Sequence, residues 1–236
     1  MRQIVKDYQV IVDLEESRSA LGGSMCPKSL IKHALKQNDA TTNVLDIGFG
    51  SGDLGSFIRS DPDLAHWQID GIDGWLPNVM NKSLFDKKLY RNIWHGLVQN
   101  MPIDLIQNYK IICLLDVIEH LNIETSKWLL RTLLTYMGHD SVLFISTPLF
   151  FWPQEKINSD DLEEHLIGIP ATSMLALVPR AYMCGDQLVC GFILCKESLD
   201  YVDFFQPTAD KGFTYDKGMK IANHIGLVQN KTVVKY

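Results

Sequence analysis

Asp116-x-x-Glu119-His120 closes the apolar run that begins at Tyr109, and a second histidine, His165, follows Glu163-Glu164. Imidazole changes charge near neutrality, so His120 or His165, with Glu119 beside the first, could take a proton from a hydroxyl or similar acceptor. The plainer reading is that Glu119 and His120 cap a helix after a strand and that His165 is a solvated loop residue. A second group is Val44-Leu45-Asp46-Ile47-Gly48-Phe49-Gly50-Ser51-Gly52. Here a hydrophobic run enters Gly-x-Gly-x-Gly. Glycines let the backbone turn sharply and approach a ligand, and a following helix would present unpaired N–H donors there. Alone, such a loop can also be only a turn.

Asp46 narrows the choice of ligand. A pyrophosphate site avoids negative charge beside its glycines. A ligand with an ammonium and a sulfonium but no phosphate tolerates it, and S-adenosylmethionine is such a ligand. Asp46 thus favours that cofactor over a nicotinamide dinucleotide, the alternative being a carboxylate that caps the loop. Asp73, in Asp70-Gly71-Ile72-Asp73-Gly74-Trp75, falls at the end of a second apolar run. A carboxylate there can accept both ribose hydroxyls, with Gly74 and Trp75 near the adenine. Trp75 could equally be core packing, and Asp70 competes for the ribose from mid-strand.

These residues need a scaffold, and the patterning supplies one. Residues 43–47, 67–72, 89–94, 109–115 and 141–146 read as strands, and 54–59, 76–85 and 125–137 as helices. Strands alternating with helices imply right-handed βαβ units and a parallel sheet. Residues 175–183 and 187–196 are apolar runs separated by Cys184-Gly185-Asp186, which predicts an antiparallel hairpin. Residues 150–169 form a loop at the carboxyl edge of the sheet, a natural lid. Pro27 could open a helix through Leu35, while residues 1–25 carry no clear signal. Residues 197–236 hold several aromatics and a short helix at 219–224 that could cover the site or meet a partner.

The chain has 236 residues and a formal net charge of -6. One α/β domain is expected over 1–236: a helical extension (1–42), a core (43–196) and a C-terminal extension (197–236). Acidic balance argues against nucleic acid as a partner. The five cysteines form no CxxC pair, so they read as reduced, buried thiols rather than zinc ligands. No signal peptide and no membrane-length apolar run is present, which predicts a cytoplasmic protein without a membrane partner. Oligomeric state is not readable.

Residues 43–196 resemble the class I S-adenosylmethionine-dependent methyltransferases. The glycine loop resembles the family's first motif, and Asp73 its ribose-binding acid. Leu114-Leu115-Asp116-Val117-Ile118-Glu119-His120-Leu121 and Ser146-Thr147-Pro148 are similar to the fourth- and fifth-strand endings of the small-molecule branch that contains ubiquinone-type O-methyltransferases. The resemblance implies a Rossmann-like, mostly parallel seven-stranded sheet, order 3-2-1-4-5-7-6, with an antiparallel terminal hairpin. It implies S-adenosylmethionine held by Asp46, Gly48, Phe49, Gly50, Gly52, Asp73, Gly74, Trp75, Leu97 and Asp116. His120, His165 and Glu119 are then the catalytic candidates, and O-methylation of a small-molecule acceptor the expected reaction.

Two other functions stay open. In a metal-dependent RNA 2′-O-methyltransferase, Asp116, Glu119, His120 and His165 would gather round a divalent ion. That is the lesser reading, and no metal ligands are assigned. In a non-catalytic module the fold would persist without turnover. The sequence departs from the family after the third strand, where Trp94-His95-Gly96-Leu97 lacks the usual acid near the adenine amino group.

Overall fold

The computed structural model describes residues 9–12, 42–184, 188–212, 214–224 and 232–235. Its strands are β1 (Gln9–Val12), β2 (Asn43–Ile47), β3 (Gln68–Asp73), β4 (Asn92–His95), β5 (Ile111–Leu115), β6 (Val142–Pro148), β7 (Ala181–Cys184), β8 (Val189–Leu194) and β9 (Thr232–Lys235). They form one sheet in the order β4-β3-β2-β5-β6-β8-β7-β1-β9. Counted from β2, the strands β2 to β8 follow 3-2-1-4-5-7-6, with β2 to β6 parallel and β8 antiparallel to both β6 and β7. This is the Rossmann-like methyltransferase topology. Two strands that the sequence did not announce extend it: β1 pairs in parallel with β7, and β9 runs antiparallel to β1.

Central strands buried on both faces explain the apolar runs. Leu45, Ile47, Ile112 and Leu114 face a layer that holds Leu129, Leu130, Leu133 and Leu134 of the long helix Ile123–Tyr136. Their strand neighbours Val44, Ile111 and Cys113 point the other way, to Leu54 and Ile58 of α1 (Asp53–Ser60) and to Trp67. The period-two alternation thus divides one sheet between two cores.

Several boundaries differ from expectation for local reasons. The helix predicted over 76–85 is two short ones, α2 (Leu76–Val79) and α3 (Lys82–Asp86). Asn81 interrupts them: its backbone is extended and its side chain accepts the Ser83 N–H at 3.1 Å. After α4 (Ile103–Ile106) the Ile123–Tyr136 helix, α5, begins at Asn122, whose carboxamide oxygen accepts the Thr125 N–H at 2.8 Å. The third strand lies at Asn92–His95 rather than 89–94, because Leu89 packs with Phe49 and Leu84. The first hairpin arm begins at Ala181, since Ala171–Leu175 is helical (α6) behind Pro170.

The helix expected near residues 27–35 lies outside the described residues. The C-terminal extension holds a 3-10 segment (Lys196–Phe204), the helix α7 (Tyr215–His224), longer than the 219–224 expected, and β9. Thr208 exchanges two backbone hydrogen bonds with Gly168, which braces the 150–169 loop. Cys113 is a buried thiol outside any disulfide and Cys195 a half-buried one, as expected, but Cys190 is disulfide-bonded. The β7–β8 register sets position 184 opposite it.

Candidate active site

The site is built where β2, β3 and β5 end. In the glycine loop Gly48, Gly50 and Gly52 have φ of 72°, 55° and 87°, the left-handed region that disfavours side chains. Gly48 donates its N–H to the Ile72 carbonyl at 2.8 Å, and a Cβ there would stand 2.4 Å from Val117 Cγ2. The turn thus presses β2 against the loop after β5. A Cβ at Gly50 would meet nothing within 4 Å, because that peptide faces the cavity. Gly52 is the N-cap of α1.

Asp73 fastens the loop to the next strand. Its Oδ2 accepts the Gly50 N–H at 2.9 Å and the Asn78 carboxamide at 3.2 Å, and its Oδ1 accepts the Trp75 N–H at 2.8 Å. Three donors fill most of a carboxylate's acceptor positions and leave room on Oδ1. Asp46 is buried one strand over and accepts the Tyr90 hydroxyl at 2.7 Å. Burial and the Asp46 charge together push the Tyr90 hydroxyl well above its ordinary value. Asp70, the competitor for a ribose contact, is excluded from the cavity. It is buried and accepts hydrogen bonds from Arg91, Asn92 and Tyr109.

Beyond β5 the chain makes a sharp turn. Asp116 has φ 53°, donates its N–H to the Ser146 carbonyl at 2.9 Å and accepts the Ser146 hydroxyl at 2.8 Å. Glu119 and His120 follow on one 3-10 turn, Ile118–His120. Glu119 is 1% exposed; Thr147 donates to its Oε2 at 3.1 Å, while Oε1 is buried without a hydrogen-bond partner. Burial, reinforced by the Asp116 charge, raises its carboxyl well above the usual range.

His165 arrives from the 150–169 loop and is 5% exposed. Its Nδ1 lies 2.8 Å from the Trp152 carbonyl, and Nδ1 of His120 lies 3.1 Å from the Glu164 carbonyl. A carbonyl only accepts, so each Nδ1 carries the proton and each neutral ring keeps its lone pair on Nε2. The two rings meet edge-on at a centroid distance of 4.6 Å. Burial lowers His120, and burial together with the His120 charge lowers His165 to about 4. One ligand atom from each of Glu119, His120 and His165 lies within 4.8 Å of the other two. This donor set, with its orphaned carboxylate oxygen, fits a divalent cation; Asp116 is not in the group.

The loop is ordered by its own polar groups. Asp161 accepts the N–H of Ile157, Asn158 and Glu163, and Gln154 donates its carboxamide to the Glu163 carbonyl at 2.8 Å. The backbone N–H of Leu166 bonds the Glu119 carbonyl at 2.9 Å, which ties the loop to the β5 turn.

Asp46, Gly50, Asp73, Asp116, Glu119, His120, Glu163 and His165 open on one cavity of about 740 Å³. Of the residues expected from sequence, Asp46, Gly48, Phe49, Gly50, Asp73, Gly74, Trp75, Leu97, Asp116, Glu119, His120 and His165 line it; Gly52 does not. Gly52 instead turns the chain into α1. Trp75 is a half-buried wall residue rather than core. The sequence reading missed Tyr90, Asn78, Thr147, Gln154 and Glu163. Tyr90 and Thr147 act through partners distant in the chain, Asp46 and Glu119, and Asn78 and Gln154 through loop contacts with Asp73 and Glu163 that no residue pattern marks.

No protein-family model and no curated protein matches the chain. Solved structures do resemble it. The mitomycin 7-O-methyltransferase MmcR is 15% identical, with a TM-score of 0.48 over 66% of this chain and 49% of that one. An S-adenosylmethionine-dependent methyltransferase from Clostridium acetobutylicum is 13% identical, with a TM-score of 0.45 over 63% and 58%. PKMT2 from Rickettsia typhi, in complex with AdoHcy, is 21% identical, with a TM-score of 0.39 over 45% and 21%. The match thus spans less than two thirds of each of those chains. The fold assignment stands on the strand order itself.

Proposed function

We infer that the chain is an S-adenosylmethionine-dependent methyltransferase acting on a small-molecule acceptor, with oxygen as the methylated atom. One observation carries this reading. A single cavity joins the Gly50–Asp73 contact at one end to Glu119, His120 and His165 at the other. The first end suits an adenosyl group: Asp73 has acceptor capacity for ribose, and the left-handed turn at Gly50 admits a ligand against the backbone. Asp46, fixed by Tyr90, supplies negative charge for a cationic cofactor. When bound, the sulfonium supplies the activated methyl group, and the protein's share is alignment and proton removal. Nε2 of His120 is the group suited to receive the acceptor proton. His165 supports it from the side, while its own lowered basicity keeps it neutral.

The wall carries six carboxylates (Asp46, Asp53, Asp73, Asp116, Glu119, Glu163) and, among the described residues, no lysine or arginine. Phosphate-rich polymers need cations along their path, so this wall favours a small acceptor over RNA. A second reading keeps the same reaction but adds a divalent metal. The unpartnered Oε1 of Glu119 favours it, because a buried polar atom without a partner is costly. Glu119, His120 and His165 would hold the ion, which would polarise the acceptor oxygen.

Titration calorimetry with S-adenosylhomocysteine tests the main reading: micromolar binding is expected, and no heat at millimolar ligand would leave a non-catalytic module. Equal turnover with and without chelator would remove the metal.

A further inference from the structure

Among the described residues, nothing beyond Val189 lines the cavity. The C-terminal extension nevertheless grips the loop that carries His165. The loop's two stems meet where Phe150 and Phe151 lie against Gly168 and Ile169. The Phe150 N–H bonds the Ile169 carbonyl at 2.7 Å, and a Cβ on Gly168 would stand 2.8 Å from the Phe151 nitrogen. The extension holds each stem. Thr208 exchanges its two backbone hydrogen bonds with Gly168 at 2.8 and 2.9 Å. Thr214 forms a parallel bridge with Phe151. Gly218, buried on α7, packs on the Phe150 ring so closely that a Cβ there would fall 2.0 Å from Cδ2. Phe150 itself has φ 65°, a left-handed backbone that a bulky side chain keeps only where its surroundings over-determine it.

These grips bear on the two histidines. Trp152, the residue after Phe151, supplies the carbonyl 2.8 Å from His165 Nδ1, and Glu164 supplies the one 3.1 Å from His120 Nδ1. Lys211 reaches both places: its Nζ lies 5.4 Å from the centre of the Phe151 ring and 4.0 Å from Glu164 Oε1. Its side chain is 62% exposed, so it adds little alone. The backbone pair at Thr208 and the contact of Gly218 with Phe150 carry most of the hold. A neutral imidazole that loses the acceptor at Nδ1 carries its proton on either nitrogen, and only the Nδ1–H form presents a lone pair at Nε2.

We propose that residues 208–212 and 214–218 form a positioning clamp: by fixing both stems of the 150–169 loop they hold the Trp152 and Glu164 carbonyls in place, and through those carbonyls they set the tautomers of His165 and His120. The clamp touches neither acceptor nor cofactor. Its service to the reaction rests on the reading of His120 as the proton acceptor, whereas its effect on the two rings does not.

The test reads the rings directly. Proton–nitrogen correlation spectra of the imidazoles, assigned with His120→Gln and His165→Gln, should show the Nδ1–H form for both rings in the full wild-type chain above neutral pH. Gly218→Ala, which drives a methyl into the Phe150 ring, should lose that preference in both. Amide hydrogen exchange at Leu166 and Ile167, which bond the Glu119 carbonyl, should quicken about tenfold or more in Gly218→Ala, while the amides of β5 keep their wild-type rates. Lys211→Met should quicken the same two amides about twofold, and Lys211→Arg should restore them. Nδ1–H retained by both rings in Gly218→Ala, or exchange that quickens everywhere in parallel, overturns the inference. If Gly218→Ala does not fold, Lys211→Met decides, and wild-type exchange in its loop overturns the inference. S-adenosylhomocysteine affinity, read at the far end of the cavity, should stay within about threefold in every variant. If wild type binds none of that ligand, the methyltransferase reading fails, while the ring and exchange measurements still decide the clamp.

Discussion

His120 and His165 stand edge to face, ring planes 72° apart, and each directs its Nδ1 to a main-chain carbonyl rather than to the other ring. The backbone thus chooses the tautomer of both, and it sets two lone pairs beside Glu119 in the same cavity. Protonating one ring disfavours protonating the other, a coupled pair by proximity alone.

That coupling has a pH signature. Burial holds His120 below its ordinary 6.5, and burial with the His120 charge takes His165 to about 4. A base works in its neutral form, so kcat/KM should rise with pH through a midpoint below 6.5 and be flat by neutrality. An ascending limb centred above 6.5 would count against His120 as the base.

Folding stability should follow the same sign. Between about 6.5 and 4 the unfolded chain binds the His165 proton while the folded chain does not. Stability is therefore full above the unfolded value and falls as pH drops through that window. Glu119 acts in the opposite sense, since ionising a buried carboxyl costs more as pH rises. Denaturation at pH 7 and pH 5, compared with His165→Gln, measures the histidine's share; the variant should lose the smaller amount on acidification.

The two ends of the cavity should separate in kinetics. His120→Ala should cut turnover about 10²- to 10⁴-fold while S-adenosylhomocysteine affinity stays within about threefold. Asp73→Ala should do the reverse first: it releases the Gly50 N–H and removes a ribose acceptor, so affinity should drop about tenfold or more. Calorimetry beside steady-state rates distinguishes them; equal affinity losses in both variants would show that the ends are not independent.

Gly48→Ala should destabilise the fold by about 2 kcal/mol or more, since the new methyl meets Val117 and the backbone is left-handed. Val117→Ala in the same chain should return part of that loss, the steric part, and leave the conformational part. Urea denaturation of the two single variants and the double gives the coupling; strict additivity would mean that the contact is not the cause.

The strand ends were legible because the central parallel strands are short, mainly apolar runs that stop at glycine or acid. Asn43–Ile47 before Gly48 and Ile111–Leu115 before Asp116 are of this kind. Asp46, Asp73, Glu119 and His120 sit on such ends, so reading the ends located them. His165 was reachable only through family resemblance, since its neighbour His120 is distant in sequence. Tyr90 on Asp46 and Gln154 on Glu163 were invisible, because such contacts depend on how loops fold back and no spacing encodes them. The edge strands β1 and β9 were missed for a related reason: four residues each are too few for a periodic signal.

The turn at Asp116 sets durability against chemistry. An L-residue held left-handed there costs about 1 kcal/mol that glycine would not. A library of variants at this position sorted on melting temperature alone should drift towards glycine, whereas one sorted on turnover should hold the carboxylate. Efforts to harden this protein by consensus or by heat would wear away the mouth of its own cleft first.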